Sequence, residues 1–427
     1  MTPKPTNGKQ DMLFDFNQES SLLLIGFTHG IVYASLLLWR GFRNRQLSDR
    51  LLGILILVLC AHISHYMLGF AGWFNSHDAH TSFMFYFPIE NLLLVGPLIY
   101  FYFRSLTNRG FRIAGRNWLH FLPGFLHLGI YLTMFLVDVV VNHWISGEPL
   151  TCFYETKGYW ACWYESNLET TLQALWAVSL FCYLMATLIG YQRYRKYLND
   201  HFSEQEYIRF AWLRNLLIVF AVGVAITWCF DLVWIAYWQE IAYELYWYTH
   251  LVIAVVVIFT GIQGYHHVKK LQDLEFDGGR SSVGTQEVST NGPTIGQEGG
   301  TPEQDPSSGG TEEFRELKEK LIQYMELEKP YLNPELKLKE LSAALETNSS
   351  ILSKVINSGF QQNFNDFINS HRVEAVKEKL DDPANARFSL LGIAEECGFN
   401  SKSTFNRAFK KFSGMSPREY LASKQPL

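Results

Sequence analysis

Two groups of residues have the types and spacing for chemistry. The first is His62, His65, Glu90, Asp231 and His250, ionisable side chains set among apolar neighbours. His62 and His65 stand three apart and share a helix face, so with Glu90 or Asp231 they could ligate a metal. Interhelical hydrogen bonding and a ligand pocket are the other readings, since an ionisable residue inside a membrane segment is costly and is a functional candidate by default. The second group lies near the C-terminus, in GFNSKSTFNRAFKKFSGMSP. There Phe405, Ala408, Phe409 and Phe412 recur at i, i+3, i+4 and i+7, the pattern of a buried helix face. The opposite side carries Lys402, Ser403, Asn406, Arg407, Lys410 and Lys411, and Ser401 stands where an N-cap belongs.

The elements that position the first group are apolar. A bilayer core needs roughly 20 apolar residues in a helix. Seven stretches qualify: about 20–39, 51–74, 83–103, 118–142, 168–191, 211–236 and 246–265. Arg40, Arg43, Arg45 and Arg50 follow the first, and Arg104, Arg109, Arg112 and Arg116 follow the third. Arg193, Arg195, Lys196, Arg209 and Arg214 separate the fifth from the sixth, and Lys269 and Lys270 follow the seventh. The alternate connections are nearly free of Lys and Arg. Because positive residues stay on the cytoplasmic side, this pattern predicts an outside N-terminus and an inside C-terminal region. The first 20 residues are polar and the apolar stretch after them is long enough to span, so no cleavable signal peptide is expected. Cys152 and Cys162 then fall in an outer loop, a compartment that permits a disulfide.

The second group sits on short amphipathic segments. SLLGIAEECGF gives a short helix through Leu390, Ile393, Ala394 and Cys397, and Gly398 supplies the turn into the helix described above. Short helix, tight turn and basic second helix make a helix-turn-helix. LKELSAALETNSSILSKVINSG repeats the arrangement, burying Leu352, Val355 and Ile356 while exposing Ser350, Ser353, Lys354 and Asn357. NFNDFINSHRVEAVKEKL reads as a helix of about 16 residues between the two units, roughly 24 Å long. Recognition helices held that far apart suit successive major-groove segments about 34 Å apart.

On these residues the C-terminal region resembles the DNA-binding domain of the AraC/XylS family of bacterial transcription regulators. IAEECGFNSKSTFNRAFKKFSGMSPREYL follows that family's signature through Ile393, Ala394, Gly398, Phe399, Ser403, Phe405, Arg407, Phe409, Lys410, Gly414, Pro417 and Tyr420. The first unit is a looser match and ends in VINSG. The resemblance implies base-edge contacts from Ser350, Ser353 and Lys354, and from Lys402, Ser403, Thr404, Asn406 and Arg407. Arg407 can bond guanine bidentately, while Lys410 and Lys411 suit phosphates.

Composition separates the parts. All twelve Trp precede about residue 265, so the formal charge of −5 averages two unlike regions. Residues from about 271 to 312 are rich in Gly, Ser, Thr and Pro and poor in large apolar residues, a composition that cannot bury enough surface to order itself. As a coil this stretch would reach roughly 35 Å. Six scattered Cys without a CxxC pair exclude a disulfide framework and a zinc module of that type.

The sequence thus predicts an all-α protein. Residues 1–19 form an extracytoplasmic N-terminus, 20–270 a seven-span sensor, 271–312 an acidic linker and 313–427 a domain with two helix-turn-helix units. The expected function is a membrane-anchored transcription regulator of a bacterial inner membrane, with its DNA-binding domain in the cytoplasm. It is expected to be no enzyme and to need no cofactor or metal. Its expected partners are double-stranded DNA, the lipid bilayer, an unidentified small-molecule or lipid signal and a second copy of itself. The alternative is an intramembrane metal-dependent hydrolase or transporter with a regulatory C-terminal domain.

Overall fold

Long apolar runs satisfy their own backbone hydrogen bonds only as helices when water is excluded, and helices are what the chain forms. The structure is a computed structural model. It describes residues 16–203, 211–237, 242–266 and 309–424, apart from positions 76, 88, 109 and 386. Among these residues no β-strand occurs, and the chain divides into two compact units. Unit one takes residues up to Tyr191 together with Phe210–Phe276; unit two takes Gln192–Arg209 and Asp277–Leu427.

Unit one contains α1 (Gln18–Arg43), α2 (Leu47–Phe70), α3 (Ala79–Tyr86), α4 (Val95–Thr107), α5 (Leu122–Met134) and α6 (Tyr159–Asn167). It also holds most of α7 (Glu169–His201), then α8 (Ala211–Tyr237) and α9 (Ala242–His266). Helix α2 packs against α1, α4 and α9. Small residues permit this closeness: Gly26 of α1 faces Ala254 of α9, and Gly30 faces Cys60 and Val257. Arg40 closes one end, donating from Nε to Asp49 Oδ2 (2.6 Å) and from Nη1 to Tyr265 O (2.7 Å). At another loop Cys152 and Cys162 are joined by a disulfide, with Cα atoms 6.4 Å apart.

Five helices are long and apolar enough to cross a membrane: Gln18–Arg43, Leu47–Phe70, Gly115–Ile145, Glu169–His201 and Trp247–His266. Leu92–Thr107 is apolar but shorter, and in α8 the apolar stretch Trp212–Ile226 is the continuous part whose side chains lie among the described residues. Length and composition therefore support five of the seven expected spans among the described residues. The expected third span, 83–103, is broken for a local reason. Helix α3 ends at Tyr86 and Phe87 is extended (φ −141°, ψ 145°), the conformation favoured for a residue preceding proline, here Pro88.

Unit two contains α10 (Gly309–Leu327), α11 (Leu338–Ala344), α12 (Ser349–Gly359), α13 (Phe364–Asp381), α14 (Leu390–Glu396), α15 (Lys402–Ser413) and α16 (Pro417–Lys424). Helix α13 serves two cores. Its Phe364, Phe367 and Ile368 pack with Leu321, Leu341, Leu352 and Ile356; its Val373 and Val376 pack with Ile393, Phe399, Phe405 and Phe409. One helix thus fixes both helix-turn-helix units on one frame.

Candidate nucleic-acid interface

Each second helix is started by a side-chain cap. Asn348 Oδ1 accepts from Ile351 N–H (2.8 Å) at α12, and Ser401 Oγ accepts from Thr404 N–H (3.2 Å) at α15. The turn before α15 runs through Gly398 at φ 89°, where a side chain would collide with the Tyr331 carbonyl. Gly414, at φ 79°, ends the helix. These devices aim the exposed face of α15, which carries Lys402, Ser403, Asn406, Arg407, Lys410 and Lys411. Ser350 and Lys354 are likewise exposed on α12, while Ser353 is half-buried and accepts from Asn357 Nδ2 (3.3 Å).

Thr404 stands apart from its expected group. It is buried, and its hydroxyl accepts from Ser401 Oγ (3.0 Å), so it supports the cap rather than facing outward. The acids of α13 are mostly spent on other partners. Glu374 holds Lys377 (2.7 Å), and Asp381 holds Lys424 (2.6 Å), raising that ammonium's pKa. Lys379, paired with Glu396, is raised for the same reason. Only Asp366 reaches the α15 face, pairing with Lys411 (2.6 Å). The basic character of that face is local and survives the acidic surroundings. Buried Cys397 has its thiol pushed up to about 11 by desolvation, which keeps it neutral.

Sequence reasoning missed the residues that hold this frame. Arg372 looks like a surface residue in NSHRVEAV yet is fully buried. Its Nε donates to Tyr331 O (2.7 Å) and its Nη2 to Asn333 O (2.8 Å), tying α13 to the chain that precedes α11. Ser203 is also fully buried in unit two, although 133 residues separate it from Leu336. Its Oγ donates to Leu336 O (2.6 Å), and Asn365 Nδ2 donates to its carbonyl (2.6 Å). An antiparallel bridge pairs Phe202 with Lys337. The only sequence signal was the cluster of basic residues after 192, which reads as a topology marker.

In unit one, four of the five candidate pocket residues meet. His62, His65, Glu90 and His250 line one cavity of about 1200 Å³. His62 Nδ1–H donates to Glu90 Oε2 (2.8 Å), His65 Nε2 lies 3.7 Å from Glu90 Oε1, and His250 stacks on His62. The side chain of Asp231 lies outside the described residues. Among the described residues no group of three His, Cys, Asp or Glu is arranged to hold a metal ion. Asp138 has a structural duty, accepting from Trp160 N–H (3.1 Å) and Ala161 N–H (2.9 Å) at the start of α6.

Comparison with known proteins falls on unit two. A family described as a helix-turn-helix domain matches residues 341–423. An uncharacterized HTH-type transcriptional regulator of Staphylococcus aureus (strain COL) is 31% identical over 101 residues, covering 24% of this chain and 13% of the relative. The uncharacterized HTH-type transcriptional regulator YtdP of Bacillus subtilis (strain 168) is 28% identical over 93 residues, 22% of this chain and 12% of the relative. The chain therefore spans only about an eighth of the length of these relatives. No solved structure matches.

Proposed function

We propose that this chain is a membrane-anchored, sequence-specific DNA-binding transcription regulator of the AraC type, which senses a signal through its helical bundle. One observation carries the DNA-binding part: α12 and α15, each capped and each exposing a polar face, are held on the single helix α13. The relatives' description as transcriptional regulators supports the same reading. Ser350, Ser353, Lys354, Lys402, Ser403, Asn406 and Arg407 are the proposed base-edge readers, and Lys410 and Lys411 the phosphate contacts.

Membrane anchoring is supported by the five long apolar helices, above all α7, whose Leu175, Val178, Phe181, Met185 and Ile189 are exposed along its length. Such a stripe on a water-soluble protein would be an aggregation hazard, whereas lipid covers it at no cost. The cavity around His62, His65, Glu90 and His250 is the proposed receptor for the signal. Charge distribution supports placing unit two in the cytoplasm of a bacterium.

The test is direct. Chromatin immunoprecipitation of the intact protein is expected to recover discrete operators. On such an operator Arg407→Ala is expected to lose about 1–3 kcal/mol and to relax sequence preference at one base pair. Unchanged operator affinity in a gel-shift titration would remove Arg407 from its role.

A further inference from the structure

The anchoring of Ser203 brings α7's last turns into unit two, and with them Arg195 and Asn199. These two residues form one wall of a cleft of about 310 Å³. Helices α13 and α15 form the others, through Asn365, Asp366, Arg407 and Lys411. The lining thus carries three cations against a single carboxylate, and that carboxylate is taken by Lys411 (2.6 Å). Among the described residues neither Arg195 nor Arg407 meets a carboxylate. The Arg195 guanidinium presents paired donors that match the planar oxygen pairs of a phosphate, and Asn199 and Lys411 share its lining, while Arg407 at the same cleft is left for the base edge. At about 30 Å³ per water, the cleft has room for such a group with its hydration.

We infer that this cleft binds a phosphate group, and that Arg195 is the ligand contributed from outside the helix-turn-helix region. The inference rests on the DNA-binding reading above. Because Arg407 and Lys411 belong to α15, the nearest source is the backbone of the duplex that α15 reads. A soluble nucleotide carries the same chemistry. The docked segment leaves Lys402, Ser403, Asn406 and Lys410 exposed, so it adds a contact beside the reading face and does not cover it.

The test uses the full chain in nanodiscs and a mixed-sequence 30-base-pair duplex, with binding followed by fluorescence anisotropy across a salt series. Arg195→Ala is expected to lower the slope of log affinity against log salt by about 0.9, a loss of about eightfold at 0.1 M relative to 1 M salt. Arg195→Lys should recover the slope, since a phosphate contact needs charge. Lys196→Ala, one position along and off the cleft, should leave the slope as in the parent. The second arm titrates ATP and pyrophosphate against the same proteins. Saturable nucleotide binding that Arg195→Ala abolishes, with an unchanged DNA slope, assigns the cleft to a soluble phosphate and overturns the DNA source. No change in either arm overturns the site. Absence of duplex binding by the parent, with no nucleotide binding, overturns the DNA reading and the cleft together.

Discussion

At the level of single residues, the cations on the exposed face of α15 contrast with Arg372, which is sealed inside the frame that holds it. Lys402, Asn406, Arg407 and Lys410 repeat at helical spacing opposite a phenylalanine face, and a period of 3.6 separates the two faces without any structure. Arg372 escaped because charged residues are almost never fully buried, so a sequence reading places it in water. Its partners are carbonyls of residues 331 and 333, about forty positions away. Arg372→Ala would leave those carbonyls unsatisfied and open a cavity, a loss of about 3 kcal/mol. Hydrogen exchange should report it as roughly a hundredfold drop in the protection of α13 amides. A milder outcome is expected at Lys410, where alanine should weaken binding to all duplexes alike without altering preference. The Cys397 thiol, neutral and enclosed, should resist iodoacetamide in the folded protein and react once it is denatured.

Among the elements, helices with strong signals at their ends came through best. Asn348, Ser389 and Ser401 each accept a backbone N–H at a helix start, and each is a residue type that favours that position. Ser401→Ala should cost about 1 kcal/mol and fray the first turn of α15, visible as faster exchange of its leading amides. Gly398→Ala should cost more, because a left-handed backbone and the Tyr331 carbonyl both oppose a side chain there. The segment 83–103 was less legible. Its apolar content suggests one helix, but Pro88 imposes a break that hydropathy does not register.

For the molecule as a whole, the sequence suggests domains strung in order, a bundle followed by a reader. Fold class follows readily, since helical periodicity pervades the chain and strand alternation is absent. What a linear reading cannot show is that unit two draws on residues 192–209 as well as on the C-terminal region. Contacts across 133 residues, such as Ser203 with Leu336, have no local signature. The burial of Ser203 nonetheless has a mechanical meaning. Within unit two, residues 192–203 and the C-terminal helices are held together by this buried contact as well as by the peptide chain. After cleavage at a tobacco etch virus protease site placed near residue 290, the C-terminal fragment should therefore still co-elute with the N-terminal fragment in gel filtration. Adding Asn365→Ala and Ser203→Gly should let the two fragments separate.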